Sequence, residues 1–167
     1  MNITAMYFSG TGTTKKVTAA IADELTEIKI SQDETAAGEN PGSIKAGIKP
    51  WQRAKDIDFT PPAARREIYR FTPDDLVVFG VPVIAGRVPN VLLKFLDTLQ
   101  GGGALAVPVV LYGNRNFDDA LIELRNILQD RGFYAIGAAA FIGEHSFSRI
   151  LAAGRPDSSD MELSRDF

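Results

Sequence analysis

Short apolar runs alternate with amphipathic segments along the chain, and the two patterns predict different elements. Apolar runs of about four to eight residues between turn-forming residues are typical of strands buried on both faces. Such runs occupy residues 3–8, 76–81 and 107–112, and a further strand is predicted at 133–142, with Gly137 as a bulge. These strands are expected to lie in one parallel sheet.

Three segments between these runs carry apolar residues at the spacing of an amphipathic helix. Helices are predicted at 14–28, 89–99 and 118–131, with Gly132 just beyond the last. The expected inward-facing residues are Val17, Ala20, Ile21, Leu25 and Ile28, then Val91, Leu92, Phe95, Leu96 and Leu99, and finally Leu121, Leu124, Ile127 and Leu128. Alternating strands and helices predict a three-layer α/β/α fold around a doubly wound parallel sheet with right-handed crossovers.

The second strand and the segment before it are harder to place. Residues 27–31 and 55–59 both alternate, and we favour 55–59 because it leaves the first helix intact. Periodicity stops after residue 30, and glycines and prolines then interrupt a polar sequence up to Pro50, so a loop insertion is predicted at about 31–54. Trp51 is expected to anchor the end of this insertion in the core.

The last predicted element is a short helix. Asp157 or Ser158 is expected to cap it, and it continues through Met161 and Leu163. A doubly wound sheet needs a longer helix to cover its first strands. We therefore expect residues 1–167 to form one domain that precedes a further domain in the natural protein.

Composition narrows the possible chemistry. The chain has no cysteine and one histidine, which excludes thiolate catalysis and cysteine-bound zinc or iron–sulfur sites within it and disfavours a histidine-rich metal site. Its 18 basic and 21 acidic residues give a net charge of −3 without a basic run, so nucleic acid is a poor partner. No apolar stretch reaches the roughly 18 residues of a membrane span, and a cytoplasmic location is expected.

In an open parallel sheet, ligands bind beyond the carboxyl ends of the strands, which here bring together the loops 9–14, 82–89, 113–118 and 143–147. The first of these loops lies between a buried strand and the start of a helix. It consists of Ser9, Gly10, Thr11, Gly12, Thr13 and Thr14. Free amide groups at a helix start, together with hydroxyl donors, suit a phosphate monoester, so this loop is predicted to bind one.

Other interpretations of this loop fit less well. A nucleoside-triphosphate loop has the pattern Gly-x-x-x-x-Gly-Lys-Ser/Thr, whereas only Thr11 separates Gly10 from Gly12. A dinucleotide loop needs a third glycine where Lys15 stands. The alternative without chemistry is an ordinary helix start capped by serine and threonine.

Residues 7–14, Tyr-Phe-Ser-Gly-Thr-Gly-Thr-Thr, resemble the phosphate-binding loop of flavodoxin-like FMN proteins. The resemblance extends through 79–89, 112–121, 144–147 and 153–157. Together these segments are similar to the amino-terminal module of bacterial proteins that join a flavodoxin-like domain to a ferredoxin domain with two 4Fe-4S clusters. The resemblance implies a five-stranded flavodoxin-like sheet of strand order 2-1-3-4-5.

By that resemblance, the 9–14 loop holds the FMN phosphate and two further loops flank the isoalloxazine ring. The additional residues implied in cofactor binding are Pro82, Val83, Ile84, Ala85, Gly86, Arg87, Tyr112, Gly113, Asn114, Arg115, Asn116, Phe117 and His145. Ile84 stands where the family pattern has an aromatic residue. The aromatic contact on that face of the ring is therefore weaker, or it comes from Phe117, Phe147 or Trp51.

Three of these side chains keep two interpretations each. Arg87 and Arg115 either hydrogen-bond the ring or ribityl chain, or lie at the solvent-exposed rim of the site. His145 either supplies a proton or a hydrogen-bond donor to reduced flavin, or is a loop histidine bonded to backbone, which we favour.

Three functions compete on this basis. The favoured one is an FMN-binding electron-transfer module that exchanges electrons with a ferredoxin-type domain or another redox protein. The second is an NAD(P)H-dependent FMN quinone reductase on the same fold, although the sequence shows no nicotinamide site. The third is a non-redox, ligand-binding regulatory domain, which the aliphatic Ile84 motivates.

Overall fold

Short strands and helices alternate in the residues that the computed structural model describes, which are 1–37, 51–148 and 150–167, with the backbone alone described for 28–37. The strands are β1 (Asn2–Tyr7), β2 (Gln52–Arg53), β3 (Ile57–Asp58), β4 (Asp75–Pro82), β5 (Leu105–Tyr112), β6 (Tyr134–Ala135) and β7 (Ala139–Ile142). The helices are α1 (Thr13–Ala37), α2 (Asn90–Leu96), α3 (Ala120–Asp130) and α4 (Ser158–Asp166), with a single 3-10 turn at Ala64–Arg66.

The strands form a parallel sheet in the order β2-β1-β4-β5-β6. Strand β3 follows β2 along the same side of β1, and β7 follows β6 along the same side of β5. The strands therefore fill five positions. The predicted doubly wound, three-layer sheet with order 2-1-3-4-5 is confirmed.

Two helices cover each face of the sheet, because successive side chains of a strand point to opposite faces. On the face covered by α1 and α4, Val78 of β4 packs in one cluster with Val17 and Met161. On the face covered by α2 and α3, the neighbouring Phe79 packs in a second cluster with Leu92. The apolar core is thus divided by the sheet into two layers.

Helix α1 is longer than its periodicity predicts. It ends at Ala37 instead of residue 28, so the prediction of an irregular insertion beginning at residue 31 is wrong for 31–37. No glycine or proline interrupts 31–37, and hydrophobic periodicity marks the buried part of a helix rather than its full length. Strand β2 also falls within the predicted insertion, whereas residues 38–50 and the side chain of Ile28 lie outside the described part.

The two ambiguous strands are settled by pairing. Strand β3 lies within 55–59, as favoured, and 27–31 belong to α1.

The strand predicted at 133–142 is split into β6 and β7. From Ala106 to Val109 strand β5 advances three residues, while its partner advances four, from Ala135 to Ala139. One extra residue is therefore accommodated around Gly137, which confirms the predicted bulge.

The ends of α3 and α4 have the expected residues, whereas one residue predicted to face the core from α2 is exposed. Gly132 follows α3 with φ +85°, and Asp157 caps α4 by accepting the Asp160 N–H at 3.0 Å. Val91 was predicted to face inward but is 63% exposed. Leu92 and Phe95 define the buried face of α2, and Val91 lies about 100° away from that face.

Candidate functional site

The carboxyl ends of the central strands meet at one edge of the sheet, because all strand pairs are parallel. Strands β1, β4, β5 and β7 end at Tyr7, Pro82, Tyr112 and Ile142. The loops that leave these strands are the four that the sequence predicted to converge. The structure therefore gathers the predicted site residues at one edge.

Close approaches of backbone connect these loops. A Cβ atom added to Gly143 would lie 3.6 Å from Cβ of Thr13, at the start of α1. A Cβ atom added to Gly113 would lie 2.6 Å from Cδ2 of His145, which is closer than real atoms approach. Glycine at 113 therefore lets the loop after β7 pack directly on the loop after β5.

The 9–14 loop is open on its outer side. Gly12 has φ +89°, a left-handed conformation that favours glycine, and no atom lies within 4 Å of a Cβ added at Gly10 or Gly12. The hydroxyl oxygens of Thr11 and Thr13 are 3.2 Å apart at the surface. Backbone and hydroxyl groups of this loop are thus accessible to a ligand.

An ordinary helix start leaves about four amides without an intrahelical acceptor, and in this loop the run of free amides begins ahead of the helix, at Gly10. Within the described residues, no atom accepts a hydrogen bond from the N–H groups of residues 10–14. The flanking amides are engaged: Ser9 N–H donates to Oγ1 of Thr60 at 2.8 Å, and Lys15 N–H donates to Oγ of Ser9 at 3.0 Å. Five consecutive amides at the positive end of the α1 dipole are therefore free to bind an anion.

Thr14 contributes to this loop in a different way from Thr11. Its side chain is buried against β4, where a Cβ on Gly80 would lie 2.9 Å from Cγ2 of Thr14 and 2.1 Å from Oγ1 of Thr18. The glycine at 80 thus makes room for the first turns of α1. The hydroxyl of Thr14 is not in the exposed donor set, so only its amide belongs to the open surface.

The loop after β4 is a tight turn in which most polar groups are hydrogen-bonded, whereas the Ala85 and Gly86 amides have no acceptor within the described residues. Ile84 and Arg87 exchange two backbone hydrogen bonds of 3.0 and 3.1 Å around Ala85 and Gly86, which both have positive φ. This geometry is that of a type I′ turn. A Cβ on Gly86 would lie 2.4 Å from Oδ2 of Asp118, so this turn packs against the loop after β5.

Arg87 is held by α3 rather than by the site. Its Nε and Nη2 donate to the two carboxylate oxygens of Glu123 at 2.9 and 2.7 Å, and Val88 N–H donates to the same carboxylate at 2.8 Å. These hydrogen bonds from Arg87 lower the pKa of Glu123, and the same ion pair raises the pKa of Arg87. The Arg87 side chain is 56% exposed, as the solvent-exposed-rim interpretation expects, and its guanidinium is engaged by Glu123.

The loop after β5 exposes its polar residues and half-buries its ring. Asn114, Arg115 and Asn116 are exposed, and Oδ1 of Asn116 accepts the Asp118 N–H at 3.1 Å. Phe117 is half-buried, packs on Tyr112 with ring centres 5.4 Å apart and contacts the core. The polar residues of this loop are therefore its most accessible part.

The loop after β7 presents both a histidine and an aromatic ring. Nδ1 of His145 accepts the Phe147 N–H at 3.1 Å, which matches the favoured interpretation of a loop histidine bonded to backbone. Phe147 is 91% exposed. Among the three predicted aromatic alternatives, Phe117 is half-buried against the core, and Trp51 packs against the core beside β2, at the opposite edge of the sheet. Phe147 is the most exposed of the three.

Two residues near the 9–14 loop were missed by sequence reasoning. Thr60 accepts the Ser9 amide, and Arg65 lies with its guanidinium carbon 5.6 Å from the ring centre of Phe8. The position of Thr60, just after the strand predicted at 55–59, was the one available signal, because that strand also ends at this edge.

One cavity in the described part of the chain lies away from the 9–14 loop. It is a groove of about 480 Å³ between α2 and α3, and its lining includes Arg87, Asp97, Ile122 and Glu123. The described residues contain no group of three or more His, Cys, Asp or Glu side chains placed to hold a metal ion. None of their helices is long and apolar enough to cross a membrane. The free amides of the 9–14 loop are the observation that defines the candidate site.

Solved structures with the same fold include several flavoproteins. The chain superimposes on flavodoxin 1 from Bacillus cereus with TM-score 0.59, 15% identity and coverage of 100% of this chain and 94% of that one. It also matches a flavodoxin from the domain Archaea (TM-score 0.57, 14% identity, 99% and 92% covered) and an NADH:FMN oxidoreductase, EMOB, in its apo form (TM-score 0.57, 17% identity, 99% and 84% covered). No protein-family model and no curated protein sequence matches the chain. At these identities the comparison establishes a flavodoxin-like fold.

Proposed function

We propose that this chain binds FMN through the 9–14 loop and transfers electrons between the flavin and a redox partner. The observation that carries the proposal is the run of free amides at residues 10–14, bounded by the engaged amides of Ser9 and Lys15. FMN ends in a phosphate monoester, and uncharged donors at a helix start are suited to hold such a dianion. Similarity in fold to flavodoxins and to an NADH:FMN oxidoreductase supports the choice of FMN.

The residues present fit the two parts of this cofactor. The amides of residues 10–14 and the hydroxyls of Thr11 and Thr13 would hold the phosphate. The loops after β4 and β5 would flank the ring, with Ile84 and the backbone of 113–116 on the accessible side. The Arg87 side chain is left out, because Glu123 holds its guanidinium. Bound FMN supplies one- and two-electron redox chemistry, and the protein positions it and controls its access to solvent.

A flavin titration tests the proposal. Apo protein is titrated with FMN and, separately, with riboflavin, and the quenching of flavin fluorescence is followed. Because the free amides address the phosphate, FMN is expected to bind at least about tenfold more tightly than riboflavin. Absence of quenching by either flavin would overturn FMN binding and favour the non-redox ligand-binding domain instead.

A second candidate function is a self-sufficient reductase, which the likeness to the NADH:FMN oxidoreductase favours. Adding NADH or NADPH to FMN-loaded protein without oxygen separates the two functions. Prompt bleaching of the flavin absorbance indicates a reductase. Bleaching only by reduced ferredoxin or dithionite indicates an electron carrier.

We propose a ferredoxin-type domain or another redox protein as the partner, on the motif resemblance of 79–89 and 112–121 to flavodoxin–ferredoxin fusion proteins. Two 4Fe-4S clusters would belong to that partner, because this chain contains no cysteine to ligate them. Flavin reduction by a reduced two-cluster ferredoxin, compared with reduction by dithionite, measures whether the exchange takes place.

A further inference from the structure

The Ser9 amide is tied to a residue far away in the sequence. Its N–H donates to Oγ1 of Thr60 at 2.8 Å, while Oγ of Ser9 accepts the Lys15 N–H at 3.0 Å. Both hydrogen bonds lie at the margins of the free amide run 10–14. The loop is therefore fixed at its first residue by Thr60 and just past its last residue, at Lys15, by the hydroxyl of Ser9.

The backbone of Thr60 is itself held in place by hydrogen bonds at both its N–H and its carbonyl group. Its N–H donates to Oδ1 of Asp58 at 2.9 Å, and its carbonyl accepts from Nη1 of Arg65 at 2.6 Å. The same Nη1 donates to the carbonyl of Phe59 at 2.9 Å, and Phe59 is fully buried. The hydroxyl of Thr60 thus belongs to a rigid segment anchored in the core.

Arg65 connects this segment to the loop by a second contact. Its guanidinium carbon lies 5.6 Å from the ring centre of Phe8, the residue that precedes Ser9. Because Arg65 binds two carbonyls and contacts this ring, it fixes where strand β3 ends relative to where the 9–14 loop begins.

We propose that Thr60, oriented by Arg65, is a positioning residue that preorganises the 9–14 loop for a phosphate monoester. This inference rests on the proposed function and adds a residue outside the loop that determines phosphate affinity. The parallel pairing of β3 with β1 ends at Tyr7 and Asp58, and the Phe8 N–H still donates to the Gly80 carbonyl at 3.0 Å. The hydrogen bond from Ser9 to Thr60 extends this order by one more residue, to the first residue of the loop. Without it, the loop must be ordered when the ligand binds, which lowers affinity.

The decisive comparison is Thr60→Val against Thr60→Ser. Valine keeps the shape but removes the acceptor of the Ser9 N–H, whereas serine keeps that acceptor. Thr60→Val is expected to speed hydrogen exchange of the Ser9 amide in apo protein about tenfold and to weaken FMN binding about five- to tenfold. It is expected to change riboflavin binding less than twofold, and Thr60→Ser is expected to restore all three values.

Thr98→Val serves as the matched control. Thr98 lies just beyond α2, and its hydroxyl donates to the carbonyl of Phe95 in that helix. Thr98 has no hydrogen bond to the 9–14 loop or to Thr60, so this variant should leave Ser9 exchange and both flavin affinities unchanged. Thr60→Ala removes the same acceptor and replaces Thr60→Val if the valine variant does not fold.

Two results would overturn the inference. One is unchanged Ser9 exchange in Thr60→Val, and the other is equal weakening of FMN and riboflavin, which would indicate a general structural role. Failure of the proposed function is a different result, because the wild-type chain would then bind no flavin. In that case Ser9 exchange still decides whether Thr60 restrains the loop, and titration with inorganic phosphate, followed at the amide signals of residues 10–14, decides whether that restraint serves anion binding.

Discussion

Two loops at the same edge of the sheet treat their polar groups in opposite ways. In the 9–14 loop, five amides have no acceptor within the described residues, and space around Gly12 is open. In the 84–88 turn, Ile84 and Arg87 bond each other through their backbones, and Glu123 accepts both the Arg87 side chain and the Val88 amide. The 9–14 loop thus has a run of five free amides, whereas in the 84–88 turn only the Ala85 and Gly86 amides lack an acceptor within the described residues.

This contrast separates the two expected roles. A polar group that is left without a partner in a folded protein costs free energy unless water or a ligand satisfies it, so a run of such groups indicates a binding surface. A turn with satisfied polar groups holds its shape by itself. Substitutions in the 9–14 loop should therefore act mainly on ligand affinity, and substitutions around the 84–88 turn mainly on stability.

The largest effect is expected from removing the two exposed hydroxyls of the 9–14 loop. Thr11→Ala and Thr13→Ala together should weaken FMN binding about 100-fold, because each hydrogen bond to a charged group contributes about 1.5 kcal/mol or more. Fluorescence titration measures the affinity, and urea unfolding of the apo protein should show a change below about 0.5 kcal/mol. Glu123→Gln is the control and should alter FMN affinity less than threefold. An unchanged affinity in the double variant would remove the 9–14 loop from the site.

The next effect compares two glycines with similar backbone angles. Gly86 and Gly12 have φ +74° and +89°, but a Cβ at Gly86 meets Asp118 whereas a Cβ at Gly12 meets open space. Gly12→Ala should cost only the left-handed backbone strain of about 1–2 kcal/mol, and Gly86→Ala about 1 kcal/mol more. Urea unfolding of both apo variants measures this difference. Equal losses would mean that the turn adapts as freely as the open loop.

A smaller effect concerns the dependence of stability on pH. Arg87 lowers the pKa of Glu123 in the folded protein from its ordinary value of 4.5. The resulting stabilisation is fully present above pH 4.5 and is lost as the pH falls through the lowered pKa. Glu123→Gln should therefore be less stable than wild type at neutral pH, and the gap should narrow under acidic conditions. Unfolding midpoints in urea from pH 7 to pH 3 test this, and a gap that stays constant with pH would contradict the assignment.

The smallest effect is expected at the tip of the turn. Ile84 is 51% exposed, so Ile84→Tyr should change stability by less than about 0.5 kcal/mol. If this position faces the flavin ring, the added ring should strengthen FMN binding severalfold, since aromatic contacts contribute about 0.5–1.5 kcal/mol. Val91→Tyr, on the exposed side of α2, is the matched control. The same affinity for both variants and wild type would place Ile84 outside contact with the ring.

Much of the fold follows from local patterns. The strands β1, β4 and β5 and the helix α3 carry strong periodic signals, and the predicted strand order then places the 9–14 loop at the carboxyl edge. The length of α1 did not follow, because apolar periodicity stops after residue 30 although the helix continues to Ala37. The exposure of Val91 did not follow, because apolar spacing alone does not fix the limits of the buried face of a helix.

The candidate site was predictable in its location but not in its details. The glycines and hydroxyls of the 9–14 loop predict a phosphate site from sequence, and this role stays a prediction. The burial of Thr14 depends on its contact with Gly80. The orientation of the Arg87 side chain depends on its hydrogen bonds to Glu123, 36 positions away. Neither contact leaves a local signal.

The sequence by itself determined the alternation of strands and helices and the composition of the turn after the first strand, because periodicity and turn chemistry are properties of neighbouring residues. The tertiary structure alone decided which donors stay free. Ser9 is engaged by Thr60, 51 positions away, while the five amides that follow meet no acceptor in the described part of the chain. Folding places distant hydrogen-bond acceptors beside a loop, so only the folded structure shows which of its donors have a partner.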